Sequence, residues 1–173
     1  MFKKIAAATA LVLASSAAFA AQPNTFYAGA DVGKTKVDDF SKRDTSVGAF
    51  VGYNLSQNFA VEGGYRRLGD YDIGVMSYGG AIDNGSVKVD QAHLSLVGSM
   101  PIGESFSLYG RLGVNRLEAK LSSPAYDSKE STTKALYGVG LSYAFTPAVS
   151  ARLEVQKPAS DGTNVSAGVA FQF

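Results

Sequence analysis

The sequence predicts an all-β fold: an eight-stranded antiparallel up-and-down transmembrane β-barrel. Stretches of the chain alternate apolar and polar residues with the period of two that is typical of a strand. In Val165–Phe173 one parity carries valine, alanine and phenylalanine, and the other carries serine, glycine, alanine and glutamine. Apolar outer positions with small or polar inner positions suit a barrel that meets lipid outside and has a hydrated or hydrogen-bonded interior.

Eight such stretches follow one another, and each is close to the ~9–11 residues that a tilted strand needs to cross a bilayer. In chain order they are Thr25–Lys34, Val47–Asn54, Phe59–Leu68, Lys88–Met100, Ser105–Leu117, Lys134–Ala144, Val149–Gln156 and Val165–Phe173. An even number of antiparallel strands brings both ends of the chain to the same side of the membrane.

The connections between these strands alternate in length. The short ones are Leu55–Asn58, Pro101–Glu104 and Phe145–Ala148. The long ones are Thr35–Ser46, Gly69–Val87, Glu118–Thr133 and Lys157–Asn164. Short turns on one side and long loops on the other are typical of a bacterial outer-membrane barrel with its short turns in the periplasm. A soluble β-sandwich has no reason to sort its loops in this way.

The start of the chain has the form of a secretory signal peptide. Met1–Lys4 is basic, Ile5–Leu13 is apolar, and Ala18–Ala20 has the small-x-small form of a cleavage site. We therefore expect residues 1–20 to be removed and residues 21–173 to form one barrel domain in the outer membrane of a Gram-negative bacterium.

The composition argues against several classes of protein. Without Lys3 and Lys4 the 16 basic residues fall to 14, against 15 acidic residues, so a nucleic-acid partner is not expected. There is no cysteine, which excludes a disulfide or thiolate site. One histidine and scattered carboxylates do not form a metal site, and no cofactor is expected.

Aromatic residues on the apolar parity fall near the short-turn ends of their strands. They are Phe26, Tyr53, Phe59, Phe106, Tyr143, Phe171 and Phe173. Aromatic side chains at one height predict a girdle at a membrane interface.

The opposite parity places charged residues in the barrel interior. Three acids, Asp31, Glu62 and Glu154, share it with three arginines, Arg66, Arg111 and Arg152. The interior of an eight-stranded barrel is just wide enough for side chains to fill it, and buried charges must be paired. The sequence therefore predicts a plugged lumen with an ion-pair network.

Several segments resemble the transmembrane domain of the OmpA family of outer-membrane proteins. They are Asn24–Ala30, Gly48–Tyr53, Val61–Tyr65, Leu108–Gly113 and Tyr143–Pro147 leading to Ala151–Glu154. The resemblance implies an outer-membrane barrel in which Glu62 and Arg152 pair and block the lumen. Val97 and Ser142 stand where OmpA itself has the alternative lysine and glutamate partners proposed for opening the pore.

The resemblance also implies expectations about further domains, assembly and oligomeric state. Because the chain ends at Phe173, we expect no periplasmic peptidoglycan-binding domain, and the chain looks more like the barrel-only surface proteins related to OmpX. Phe171 and Phe173 are similar to the signal that the barrel-assembly machinery reads during biogenesis. A monomer is expected.

Three functions remain open. The first is a non-enzymatic structural or surface barrel whose loops contact host or phage, and the second is a narrow pore for small solutes. The third is an enzyme acting on lipid A, because His93-Leu94-Ser95 resembles the His-x-Ser pair of lipid A deacylase barrels. Two such side chains on one strand face could form a base and a nucleophile. Against it, both side chains are expected in the interior, and no acid is expected at a supporting position.

Three cations break the apolar rule of the outer face. Arg67, Lys88 and Arg116 lie on the lipid-facing parity of neighbouring strands, toward their extracellular ends. Each could simply extend to water, or together they could contact lipopolysaccharide phosphates. Outer-membrane lipid and lipopolysaccharide are therefore the expected partners of the barrel wall.

Overall fold

The chain folds into a closed antiparallel barrel with sequential strand order, which confirms the predicted fold class. The computed structural model describes residues 21–37, 43–76, 82–123, 126–159 and 162–173. The expected signal peptide lies outside these residues. The strands are β1 Phe26–Val37, β2 Arg43–Asn54, β3 Phe59–Met76, β4 Ile82–Pro101, β5 Phe106–Ser123, β6 Tyr126–Ala144, β7 Val149–Ala159 and β8 Gly162–Gln172.

The first and last strands close the barrel. β1 pairs with β2 on one side and with β8 on the other. Phe26 and Phe173 exchange backbone hydrogen bonds of 3.0 and 2.8 Å at the end that carries the short turns. Closure leaves no free sheet edge, which is the condition for placing strands in a membrane where no water can satisfy backbone groups.

The sequence predicts long loops at Gly69–Val87 and Glu118–Thr133, and that prediction is wrong for most of their length. β3 and β4 remain paired as far as Met76 opposite Ile82. β5 and β6 remain paired as far as Ser123 opposite Tyr126. These four strands have 18, 20, 18 and 19 residues, so two hairpins continue well past the length that a bilayer requires.

The other two predicted long connections are also shortened by strand pairing. β1 and β2 pair as far as Lys36 opposite Arg43, and β7 and β8 as far as Ala159 opposite Gly162. A bulge between Arg67 and Gly69 shifts the register of β3 where the long hairpin begins. Bulges of this kind bend a strand and increase its twist locally.

The two faces of the wall have opposite character. Outward side chains are apolar and open to the surroundings, as for Val51 at 63% and Leu112 at 69% exposure, whereas inward Glu62 and Gln91 are fully buried. This is the reverse of a water-soluble protein and matches a wall that meets lipid. Within the described part of the chain, no helix is long and apolar enough to cross a membrane.

Aromatic rings gather at the short-turn end of the outer face. The ring centroids of Phe26 and Tyr53 lie 4.8 Å apart, and those of Phe106 and Tyr143 are separated by the same distance. Phe171 and Phe173 are stacked at 6.1 Å and are more than half exposed. The position of these rings fits the amphipathic boundary of a bilayer.

Candidate functional site: the barrel lumen

Glu62 lies at the centre of the lumen and is fully buried. Its Oε2 accepts hydrogen bonds from the Tyr27 hydroxyl at 2.9 Å and from Arg152 Nη1 at 2.7 Å. Its Oε1 accepts a hydrogen bond of 2.5 Å from Arg111 Nη2. One carboxylate from β3 therefore joins β1, β5 and β7 across the barrel. Charge-assisted bonds of this kind are the strong ones in a water-poor interior.

Arg111 connects Glu62 to the second buried carboxylate of this layer. Its Nε lies 2.9 Å from Glu154 Oε1, and its Nη2 donates a hydrogen bond of 3.1 Å to Glu154 Oε2. The Tyr109 hydroxyl donates another hydrogen bond of 2.9 Å to the same oxygen. Two arginines and two glutamates then balance in charge, as buried ions require.

Arg152 is held by aromatic rings as well as by Glu62. Its guanidinium carbon lies 4.8 Å from the ring centre of Tyr27, 5.0 Å from that of Phe50 and 5.6 Å from that of Tyr109. A cation over aromatic faces gains favourable electrostatic energy, more so when it is desolvated. Rings from β1, β2 and β5 therefore help to hold the guanidinium of β7 inside the lumen.

The same arrangement of residues occurs twice, four strands apart. In the first half, Tyr27 on β1 lies opposite Gly52 on β2, and Gly52 lies opposite Glu62 on β3. In the second half, Tyr109, Gly140 and Glu154 occupy the equivalent positions on β5, β6 and β7. A Cβ at either glycine would overlap the tyrosine ring, so the glycine lets that ring lie flat and reach the glutamate.

Asp31 and Arg66 form a separate pair farther from the short turns. Arg66 Nη2 lies 2.7 Å from Asp31 Oδ2, and Arg66 Nη1 also bonds Asn164 Oδ1. Asn164 Nδ2 in turn donates to Thr35 Oγ1 at 2.9 Å and to Ser46 Oγ at 2.7 Å. Four strands, β1, β2, β3 and β8, meet in this second polar layer.

Asn164 and Asn115 carry contacts that the sequence does not predict. Asn164 falls in a predicted loop, whereas the structure places it fully buried on β8. Asn115 Nδ2 donates a hydrogen bond of 2.8 Å to the backbone oxygen of Pro158, which links β5 to β7. Continuing the inward parity through the predicted loop Lys157–Asn164 would have found Asn164, and Asn115 already has the inward parity of the predicted strand Ser105–Leu117.

Apolar side chains also face the lumen near the short-turn end. Val97, Ala60 and Ala170 pack there with Tyr27, Phe50 and Tyr109. Val97 is 6% exposed. The lumen is therefore not polar throughout.

His93 and Ser95 both face the interior, away from the lipid-facing side of the wall. The prediction that no acid lies at a supporting position is wrong, because Glu62 Oε1 lies 3.9 Å from His93 Nε2. However, His93 Nε2 is also 2.8 Å from Arg111 Nη1, so the ring nitrogen is engaged in the ion network. Ser95 is 3% exposed. Neither side chain is open to a lipid substrate.

The outward cations have carboxylate neighbours. Arg67 Nε lies 3.1 Å from Asp90 Oδ1, and Arg116 Nε lies 3.7 Å from Glu118 Oε1. Arg116 Nη2 also donates a hydrogen bond of 3.0 Å to Ser131 Oγ. Lys88 is exposed on the same wall. The patch is therefore less positive than three cations alone would make it. Among the described residues, no group of three or more His, Cys, Asp or Glu side chains could hold a metal ion.

Comparison with known proteins identifies the family of this barrel. The family model described as the outer membrane protein beta-barrel domain matches residues 6–173. The chain belongs to this family. It is 32% identical over 167 residues to outer membrane protein A of Escherichia coli O157:H7, covering 89% of this chain and 47% of that protein. This chain thus spans about half the length of the curated relatives it matches.

Solved structures show the same fold. Neisserial surface protein A matches with a TM-score of 0.66 and 18% identity, over 86% of this chain and 97% of that one. The N-terminal barrel domain of Pseudomonas aeruginosa OprF matches with a TM-score of 0.63 and 19% identity, over 87% and 98%. The family match and the 32% identity to outer membrane protein A confirm the resemblance to the OmpA family, and the chain is a Gram-negative outer-membrane barrel.

Proposed function

We propose that this protein is a non-enzymatic outer-membrane barrel whose lumen is closed and whose long hairpins act at the cell surface. The observation that carries the closed lumen is the contact of Glu62 on β3 with Arg111 on β5 and Arg152 on β7. These three strands span half the barrel. Charged side chains that meet across an eight-stranded barrel leave little width for solutes.

The free space in the lumen supports closure. A cavity of about 100 Å³ enters from the short-turn end, and Tyr27, Tyr109 and Arg152 are among its lining residues. Beside Arg111 and Glu154 the remaining void is about 10 Å³. A void of that size has room for one water molecule at most.

The two extended hairpins support a surface role. β3–β4 and β5–β6 continue beyond the membrane-spanning length, on the side opposite the short turns. With the short turns assigned to the periplasm, these hairpins project outward from the cell. They are the part of the protein available to host surfaces or phage.

Reconstitution of the refolded protein in a planar bilayer tests the closed lumen. We expect no sustained conductance, because the ion network and the aromatic rings fill the cross-section. The double variant Glu62→Ala/Arg152→Ala removes the central pair and should conduct more than the unaltered protein. Steady conductance by the unaltered protein at neutral pH would favour the narrow pore instead.

Lipopolysaccharide is the proposed partner of the outer wall near the base of the hairpins. Arg67, Lys88 and Arg116 lie on adjacent strands, and each cation near a phosphate surface contributes about 1 kcal/mol at most. The nearby Asp90 and Glu118 reduce this contribution. The contact is therefore weak, and it orients the barrel rather than anchoring it.

Changing Arg67, Lys88 and Arg116 together to glutamine tests this partner. We expect a lower melting temperature in bilayers that contain lipopolysaccharide and little change in neutral detergent, together with less co-purifying lipopolysaccharide. Because glutamine keeps the first methylene groups of each side chain and removes the charge, any loss of packing should be similar in both media. An equal loss of stability in the two media would assign the three cations to ordinary wall packing.

A further inference from the structure

The cavity at the short-turn end has an unusual lining. Six serines and one threonine contribute to it, and Arg152 is its only charged residue among those that the structure describes. Among the described residues, no carboxylate belongs to the lining. We call this cavity the vestibule. A concave site with hydroxyl donors and one cation has the chemistry that recognises an anion.

Arg152 faces the vestibule, and its counter-ion lies behind it. The Arg152 side chain is 18% exposed, whereas Glu62, which accepts its Nη1 hydrogen bond, is fully buried and does not line the vestibule. A guanidinium has five N–H donors, and Glu62 takes one of the Nη1 donors. The Arg152 guanidinium, the positive member of this ion pair, therefore faces any ligand that enters the vestibule.

Strand register places two serines close to Arg152 in the barrel wall. Ser107 on β5 lies opposite Ser142 on β6, and Ser142 lies opposite Arg152 on β7. All three side chains share the inward parity and line the vestibule. The aromatic contacts of Arg152 with Tyr27, Phe50 and Tyr109 restrict the movement of its guanidinium. Preorganised donors bind more tightly because less freedom is lost on binding.

We propose that the vestibule is a binding site for a small oxyanion of phosphate type, held by Arg152 and by the hydroxyls of Ser142 and Ser107. Arginine is well suited to such an anion because its planar fork donates two parallel hydrogen bonds to two oxygens. The site opens at the short-turn end, so its ligand comes from the periplasmic side. The proposal does not depend on whether the barrel conducts.

The matched pair Ser142→Glu and Ser142→Gln separates charge from size. Both side chains add the same bulk next to Arg152, but only glutamate brings a negative charge into the vestibule. The experiment titrates inorganic phosphate into the refolded, isotope-labelled protein in neutral detergent, with chloride adjusted to keep ionic strength constant. Amide chemical shifts report binding, and the folded spectrum of each variant confirms that the barrel is intact.

In the unaltered protein we expect saturable shifts at Ser107, Ser142 and Arg152. Ser142→Glu should weaken phosphate binding at least about tenfold through like-charge repulsion, and Ser142→Gln should bind more tightly than Ser142→Glu by a similar factor. Shifts that do not saturate, or that centre on the hairpins, would overturn the proposal. So would equal phosphate affinity in the two variants, whether that affinity is unaltered or lost.

Discussion

Replacing Glu62 with alanine is expected to lower the free energy of unfolding by about 3–5 kcal/mol, the range typical of breaking a buried ion pair. The reason is that Arg111 and Arg152 would be left with one carboxylate, Glu154, between them. The Tyr27 hydroxyl would also lose its acceptor. Urea unfolding of the protein in lipid vesicles, followed by circular dichroism, measures the change.

A double-mutant cycle shows whether the loss comes from the pair with Arg152. Glu62→Ala combined with Arg152→Ala should be more stable than the sum of the single effects by at least about 1 kcal/mol, because the second change removes the uncompensated cation. Glu104→Ala is the control: Glu104 is exposed in a short turn, and its loss should change stability by less than about 0.5 kcal/mol. Strict additivity in the cycle would show that the two buried residues do not interact.

Gly140→Ala is expected to destabilise the barrel by about 1–3 kcal/mol, the usual effect of overpacking an interior. A Cβ at Gly140 would overlap both the ring of Tyr109 and the backbone oxygen of Leu153. If the ring moves, the hydrogen bond from the Tyr109 hydroxyl to Glu154 lengthens. Thermal unfolding in detergent reports the loss.

Gly110→Ala is the matched control for this effect. Gly110 faces outward on β5, and the nearest atom to an added Cβ would be the backbone oxygen of Gly138 at 4.0 Å. Because nothing obstructs the methyl group there, we expect stability to stay within about 0.5 kcal/mol or to rise slightly. If Gly110→Ala lost as much stability as Gly140→Ala, overlap with the Tyr109 ring would not explain the effect of the change at Gly140.

Most of the residues that face the lumen could be predicted from the alternation of apolar and polar residues, whereas the strand pairing of the extended hairpins could not. Inward parity alone selects Glu62, Arg111 and Arg152, because a strand with lipid on one side must turn its ions to the other. Gly69–Val87 and Glu118–Thr133 lack the apolar alternation of a lipid-facing strand, so the sequence indicates loops there. The structure shows paired strands over most of both segments. Asn164 was missed because the predicted loop Lys157–Asn164 included the first residues of β8.

The sequence by itself determined the number of strands, the side of the wall that each residue faces, and the set of charges in the interior. These depend on a period of two, which is a local property of a strand. Only the tertiary structure decided which charges meet: Asp31 pairs with Arg66, while Glu62 joins Arg111 and Arg152. Those partners lie on strands that are not adjacent, and their relative heights follow from the tilt and stagger that closing the barrel imposes on all eight strands together.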